Sequence, residues 1–592
     1  MRLASAFLVT AILLGADTLR EPITPENVSQ LKAAWIYDTG ESPHVFWERD
    51  SHFECRPVYS EGKLYISTPG GLVIALDAET GREIWKQDLH VFRDGNYSEP
   101  TTRGVTLAGK MIYVATTDAR LVCLDRATGE PCSGFGMSGE VDLRAGLRRK
   151  PEYLGEYGVS SPPAVYKDLV IVGSFVADNS RVSMATGEVR AFDAKTGALR
   201  WTFHPLPTGS LAGAANTWSR ITVDEENGLV FLPTGSASPD YYGGLRPGDN
   251  RDADSIVVLK AETGEAVWSF QTVHHDLWDY DVASPPLLFP GKNGPAVAVG
   301  SKTGHLFLFD RMTGKPLFPI EERAVPSSDT PGERASPTQP FPTLPLALVP
   351  QHITEKDLWG PTPQALEACR TVFHSLRNEG IFTPPSVQGS LIVPGNIGGL
   401  QWGGVVFDPI TRLLIGPVNR TVAVIRLIPQ INFKVAKKEH PERETTEQKG
   451  APYAMSREWF ESGTNTPCIA PPWGELVAVN PDTGKIEWHI PLGGFGPDPD
   501  HPYPGSPNLG GPAVTSTGLV FIGASLDHHI RAFETAHGRE VWKAELPTSA
   551  RATPLIFTLP SGRQMVAIAA GGHDGGGRKL DSKLVVFALS SK

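Results

Sequence analysis

The 592-residue chain has only five cysteines and no Cys-x-x-Cys-His, which excludes a c-type haem attached through that motif. Basic runs are missing as well. Lys and Arg total 54 against 65 Asp and Glu, for a formal net charge of -11, so no cationic track exists to follow a phosphate backbone and no nucleic-acid partner is expected. No Gly-x-Gly-x-x-Gly follows a strand pattern, which argues against a nicotinamide dinucleotide. After Leu14, no apolar stretch reaches the roughly 18 to 20 residues needed to cross a bilayer.

What is abundant points to a turn-rich β protein: 61 Gly, 52 Pro and 9% aromatics. Met1 to Ala16 has Arg2, an apolar run from Leu3 to Leu14 and then Gly15-Ala16, the form of a signal peptide. The protein is therefore expected to be periplasmic or secreted, with membrane association as the alternative. Five cysteines suit an oxidising compartment and leave at least one unpaired in a monomer. Cys123 and Cys132 flank a turn and could face each other; Cys369 and Cys468 could also pair, but spacing does not fix the connectivity.

Length alone would suggest several domains, but an internal repeat overrides that prior. Its form is an apolar strand, Asp or a polar substitute, two residues, Thr-Gly, and an aromatic four residues after the Gly. It runs from Asp77 to Gly81 with Trp85, Asp125 to Gly129, Asp193 to Gly197 with Trp201, Lys260 to Gly264 with Trp268, and Asp310 to Gly314 with Phe318. It returns from Asn480 to Gly484 with Trp488 and, with Ala-His-Gly, from Glu534 to Gly538 with Trp542. An eighth copy is split between the termini, Leu584 to Leu589 supplying one strand and Leu31 to Trp35 the strand with its aromatic. A unit of this size cannot bury both faces of its sheet alone, so neighbours must stack radially. The expectation is an all-β, eight-bladed β-propeller with Trp-docking repeats, one domain over 31–592 closed by the N- and C-terminal strands.

The delay between Asp310 and Asn480 marks an insertion at about 319–473. Within it, Pro326 to Pro350 reads as loop and a candidate lid over the binding mouth. Thr362-Pro363 reads as the N-cap and first position of a helix running through Arg377. The charged stretch Phe433 to Lys449 reads as a surface excursion.

Between two strand-like segments, Thr272-Val273-His274-His275-Asp276-Leu277-Trp278-Asp279 concentrates two imidazoles, two carboxylates and an indole. Spacing alone fits blade-corner packing as well as chemistry. Together with the Trp-bearing repeats and Glu379-Gly380-Ile381-Phe382-Thr383-Pro384-Pro385, however, the chain resembles the quinoprotein dehydrogenases that use pyrroloquinoline quinone. The resemblance is nearest to the membrane-type glucose, quinate and polyol group and covers about Leu31 to Leu589.

The resemblance implies oxidation of a hydroxyl of a sugar, polyol or cyclic hydroxy acid, with hydride transfer to the quinone. Asp279, the last residue of the His-Asp-Leu-Trp-Asp motif, takes the place of the general base. Lys302, in Gly300-Ser301-Lys302-Thr303-Gly304, becomes the cation beside the quinone carbonyls, and Trp218 the indole under the cofactor. Arg103, Asn396 and His573 fall on cofactor contacts. Asp178 and Asn179 fall on metal ligands, with Asp279 shared and Ser236 or Ser238 as a further oxygen donor. The implied metal is Ca²⁺, with Mg²⁺ as an alternative, and the implied electron acceptor is a membrane quinone or a soluble carrier. His274 and His275 are given no chemistry and are read as loop scaffolding.

Two departures accompany the resemblance. Ser98-Glu99-Pro100 stands where the glucose enzymes carry a His, which weakens the case for glucose itself. The adjacent-cysteine pair of the methanol group is absent. The competing reading is a non-catalytic exported propeller serving as a protein-binding scaffold, which would have no use for the Asp279 and Lys302 pair or the Trp218 position.

Overall fold

The structure, a computed structural model, describes residues 22–46, 49–463, 466–498, 500–573 and 579–590. The proposed signal peptide at 1–16 lies outside the described residues. Among those described, seven four-stranded antiparallel sheets and one three-stranded sheet follow one another in chain order at the positions the repeats mark. The strand Leu31–Asp38 completes the last of them by pairing with Lys583–Leu589, Leu31 lying opposite Leu589. Among the described residues no helix is long and apolar enough to cross a membrane.

The repeat motif does local and long-range work at once. In the first copy, Asp77 Oδ1 accepts from the Thr80 N–H at 2.9 Å and the Thr80 hydroxyl at 2.7 Å, pinning the turn. Gly81 then adopts φ +73°, and a Cβ there would lie 2.6 Å from the Trp35 ring of the neighbouring sheet. Gly264 sits against Trp201 and Gly314 against Trp268 in the same way. The indole N–H groups of Trp201 and Trp268 also donate to the next turn, to Ala261 O at 3.0 Å and Arg311 O at 3.2 Å. Such an indole is a bolt between sheets, packed on one side and hydrogen-bonded at its tip; Trp35 makes the packing contact alone. At the end of the insertion Gly484 meets Leu344 and Phe318 instead of an indole.

Disulfides join Cys123 to Cys132 and Cys369 to Cys468, and Cys55 is free and buried. The expected helix spans Pro363–Ser375, with Thr362 Oγ1 accepting from Ala365 N at 3.1 Å as its cap.

The charged stretch read as a surface excursion is more integrated than expected. It holds the helix Phe433–Glu439 and the strand Glu444–Thr446, and that strand joins an additional four-stranded sheet through Tyr453–Trp459. Gln448 is fully buried, with Oε1 accepting from Tyr241 N at 3.3 Å, and Lys449 exchanges backbone hydrogen bonds with Ser180 and Val182. Charge density concealed a segment that joins a sheet and whose Glu444 pairs with Arg457 across it.

Candidate functional site

The loop between the strands Ala266–Gln271 and Leu287–Gly291 carries the His-His-Asp-Leu-Trp-Asp motif. Its shape is set by Asp276, whose carboxylate accepts from the backbone N–H of Trp278 at 3.2 Å and Tyr280 at 3.1 Å and from the Ser236 hydroxyl at 2.7 Å. Trp278 is buried against Phe382, ring centroids 5.1 Å apart, and its indole N–H donates to Thr383 O at 2.7 Å. Tyr280 OH donates to Pro394 O at 2.6 Å, tying the loop to the segment that bears Asn396. The second motif, 379–385, therefore serves as a wall against which the first is clamped.

Both histidines are held by the insertion. His275 Nδ1 lies 2.7 Å from Gly248 O and Nε2 lies 2.8 Å from Glu333. His274 Nδ1 lies 2.8 Å from Gln271, and its backbone exchanges two 2.7 Å hydrogen bonds with the Gln339 side chain. Here the Pro-rich segment, read as a candidate lid, acts as a brace for the loop.

The brace presents Asp279 at φ +61°, in the left-handed region that costs most residues of order 1 kcal/mol or more and that Asp tolerates better than most. Lys302 Nζ lies 2.6 Å from Asp279 Oδ1 and 2.8 Å from Asp281 Oδ2. The same Asp281 oxygen accepts from the Trp218 indole N–H at 3.1 Å. Lys302 also stands over the Trp218 ring, 5.8 Å from its centroid, and Gly398, beside Asn396, packs so closely that a Cβ would reach within 2.4 Å of the lysine side chain.

On the other side of Asp279, Arg457 Nη1 lies 3.6 Å from Oδ2 and donates to Tyr241 OH at 3.1 Å. Glu444 grips that guanidinium with two bonds of 2.6 and 2.8 Å.

Carboxylates outnumber cations here. Burial pushes the Asp279 carboxyl up to about 7; the attraction of Lys302 and Arg457 opposes this, while Asp281 adds to it. Asp178 and Asp240 are driven well above the carboxylate range, first by burial and then by Asp279, Asp281 and each other's neighbourhood. Lys302, facing two carboxylates, is held well above the ordinary lysine value despite its burial.

Arg103 forms the remaining wall. It pairs with Glu54 at 3.0 Å and Glu99 at 2.6 Å, and its guanidinium faces Trp218 at 5.3 Å and Trp402 at 4.6 Å. Glu99, one of the departures noted above, is thus the counter-ion of Arg103.

The structure therefore brings Asp279, Lys302, Trp218, Arg103 and Asp178 into one neighbourhood, with Asn179 adjacent in the chain and the Asn396 loop against Lys302. It ties two other sequence-predicted residues to neighbouring loops. Ser238 donates to Val182 O at 2.7 Å and accepts from Gly213 N at 2.8 Å, while His573 Nδ1 lies 2.8 Å from Ser549 Oγ. Ser236, not Ser238, sits on the acidic cluster, within 3.2 Å of Asp254, Asp276 and Asp281.

Sequence reasoning missed Arg457, Tyr241, Asp240 and Asp281. Only Asp281 left a local trace, two residues beyond Asp279.

The residues fit a planar polyanionic quinone and a hard cation. Around Trp218, the buried hydroxyls of Ser98, Thr117, Ser174 and Thr217 have no hydrogen-bond partner among the described residues, nor has Asn216 Oδ1. Such atoms cost about 1–3 kcal/mol each when left unpaired and are suited to a polar ligand. Asn179 Oδ1 and Asp240 Oδ1 are buried and unpartnered beside the mutually repelling carboxylates. Among the described residues no three His, Cys, Asp or Glu side chains converge tightly enough to hold a metal by themselves, so a hard cation here would need further oxygen donors.

Comparison with known proteins decides the family. The family described as "PQQ: Glucose/ethanol/alcohol dehydrogenase, beta-propeller domain" matches residues 19–566. The chain belongs to the PQQ-dependent quinoprotein dehydrogenases.

Among curated relatives, the quinate/shikimate dehydrogenase (quinone) of Acinetobacter baylyi is 34% identical, over 93% of this chain and 74% of the relative. The quinoprotein glucose dehydrogenase of Escherichia coli is 33% identical, over 96% and 76%. The glycerol dehydrogenase large subunit of Gluconobacter oxydans is 35% identical, over 96% and 82%. The quinohemoprotein alcohol dehydrogenase of Comamonas testosteroni shares the β-propeller fold of this PQQ dehydrogenase, with a TM-score of 0.69 at 23% identity, covering 96% of this chain and 78% of that one.

Proposed function

We propose that this PQQ dehydrogenase oxidises a hydroxyl of a sugar, polyol or cyclic hydroxy acid, with Asp279 as general base. The observation that carries the reading is the single cluster in which Lys302 bridges Asp279 and Asp281 above the Trp218 ring. Quinate, glucose and glycerol enzymes match almost equally well, so the class is a polyhydroxylated small molecule, and the relatives do not choose within it.

Arg103, Trp218, Lys302, Asn396 and His573 would hold the quinone. Asp178, Asn179 and Asp279 would hold Ca²⁺, Mg²⁺ being the alternative, with a hydroxyl oxygen of Ser238 or Ser236 as a further donor; Ser238 also bonds Val182 and Gly213. When bound, the quinone supplies the two-electron acceptor and the cation the Lewis acidity that activates it.

The chain's own residues do the rest. Asp279 takes the substrate hydroxyl proton, a general-base contribution of roughly 10²- to 10⁴-fold. Lys302, fixed by two carboxylates, presents a permanent positive charge where negative charge develops, without reorganisation. Arg457, locked by Glu444, presents an N–H on the far side of Asp279 and orients the carboxylate and the substrate oxygen that approaches it. Trp218 sets the plane of the platform.

We read the eight sheets as the blades of an eight-bladed propeller closed by the strand Leu31–Asp38; the Trp542 N–H to Leu31 O bond of 3.3 Å and the packing of Gly81 on Trp35 support closure across the termini. Arg2 and the apolar run after it support export to the periplasm or exterior, with a membrane quinone or soluble carrier as electron acceptor.

A protein-binding scaffold is not favoured, because two buried carboxylates around one buried lysine are expensive to maintain without chemical use. The test is reconstitution with quinone and Ca²⁺ and a panel of aldoses, polyols and cyclic hydroxy acids. Artificial-dye reduction without NAD by at least one class supports the reading. A quinone-loaded protein inert toward all three contradicts it.

A further inference from the structure

The innermost strands of the sheets enclose two cavities, of about 340 and 390 Å³, both lined by Arg56, Arg103, Pro162, Arg220 and Ile556, which makes them parts of one channel. Arg103, stacked between Trp218 and Trp402, stands between this channel and the quinone platform.

The charges in the channel do not balance. Arg103 has Glu54 and Glu99, and Glu54 is shared further with Arg551 at 3.5 Å. Arg56 and Arg220 have no carboxylate: among the described residues no ion pair or hydrogen bond reaches either guanidinium, and Arg56 Nε is buried and unpartnered. Several other arginines of this fold are answered by a carboxylate. Arg181 meets Glu156 at 2.7 Å, and Arg120 meets Glu140 at 2.7 Å. Arg56 is half-buried and Arg220 keeps an exposed side chain; the protein packed around Arg220 and the nearby Arg56 together lower the pKa of its guanidinium, so two like charges face the same lumen.

A guanidinium pair of this kind is suited to an anion. Two planar forks offer charge-assisted, bidentate hydrogen bonds to a carboxylate, phosphate or sulfate. The neighbouring walls add little discrimination: Pro162, Pro285, Pro286 and Pro512 have no backbone N–H to donate, several of the other residues are aliphatic, and the one carboxylate in the lining, Glu54, is already paired with Arg103 and Arg551. A lumen that reads charge and little else selects a compact oxyanion over an elaborate ligand.

We propose that the channel is an anion-binding site separate from the quinone site, in which Arg56 and Arg220 together hold one small oxyanion. The site does not depend on the redox assignment, since neither arginine touches Asp279, Lys302 or Trp218.

The experiment is calorimetric titration of inorganic phosphate, with malonate in parallel, into the full chain at constant ionic strength, with and without bound quinone. Saturable one-to-one binding of either anion is expected, weakened tenfold or more in Arg56→Gln and in Arg220→Gln and lost in the double variant. Tighter phosphate or tighter malonate binding identifies the preferred oxyanion, provided both depend on the same arginines. The double variant should melt at or above the wild-type temperature in low salt, because a repulsion has been removed, which guards against a folding defect. Non-saturable heat, equal binding by the double variant, or loss of binding once quinone is loaded would each overturn the proposal, the last by reducing the channel to an extension of the cofactor pocket.

Discussion

Asp279 and Asp281 hold one ammonium between them, Lys302 Nζ at 2.6 and 2.8 Å, yet only Asp279 is left with an oxygen facing away from the lysine and toward Arg457. Asp281 is consumed by structure, accepting from the Trp218 indole, the Ser236 N–H and the Ser236 hydroxyl. The division of labour follows from this: one carboxylate orients the cation and the platform, and the other remains available for a proton.

Removing the shared cation should therefore damage the fold as well as the chemistry. Lys302→Ala removes the ammonium shared by the two carboxylates and leaves Asp279 only the more distant Arg457, and the expected loss is about 3–5 kcal/mol in denaturant unfolding. Lys302→Arg keeps the charge and should recover most of that stability while activity stays depressed, because the fork cannot reproduce a point charge under the close approach of Gly398. Equal stability of Lys302→Ala and wild type would refute the pairing.

The acidic cluster makes cation binding pH-dependent. In the metal-free protein the Asp279 carboxyl titrates at about 7, above the unfolded value of about 3.9. The folded state thus binds that proton more tightly, and the stability this contributes is full below about pH 4 and lost as pH rises through 7. A bound cation takes the proton's place. Ca²⁺ should raise the melting temperature more at about pH 8 than at about pH 5.5, with apparent affinity falling as the medium acidifies below 7. Equal shifts at both pH values would count against Asp279 as a ligand.

Arg457 is the residue the insertion contributes. Arg457→Met frees Glu444 and removes the N–H beside Asp279, and the expected outcome is a fall in kcat/KM of about 10- to 100-fold, with quinone affinity within about twofold of wild type. Steady-state kinetics alongside quinone titration separates the two. Unchanged kcat/KM would leave Arg457 a purely structural residue.

The turn glycines test the fold. Gly264→Ala places a methyl 2.7 Å from the Trp201 ring at φ +73°, so strain and overlap combine, and a loss of about 1–3 kcal/mol is expected by chemical denaturation. Gly62→Ala shares the positive φ but has nothing within 4 Å of its Cβ, so it should cost less.

These contrasts show where the sequence was legible. The repeats could be read because Thr-Gly and the aromatic sit within one turn and strand, and the sheets they mark are present. Asp279, Lys302 and Trp218 lie in short motifs whose residue types betray their chemistry. Arg457 and Tyr241 could not be read, because they are joined only in three dimensions, Arg457 by a sheet added through the insertion and Tyr241 by the loop after cis-Pro239. Ser236 and Ser238 could not be told apart by sequence: the Ser236 hydroxyl faces Asp254, Asp276 and Asp281, while that of Ser238 bonds Val182 and Gly213. Glu444 was hidden in a run of charge whose composition alone suggested solvent.

The most direct measurement is substrate-dependent dye reduction by Asp279→Asn loaded with quinone and Ca²⁺. The amide keeps the shape and the Lys302 contact but cannot accept the hydroxyl proton. Turnover should fall by at least about 10²-fold while quinone binding, followed by its absorbance, remains. Wild-type turnover in a fully loaded variant would show that the proton leaves by another route and that Asp279 is not the base.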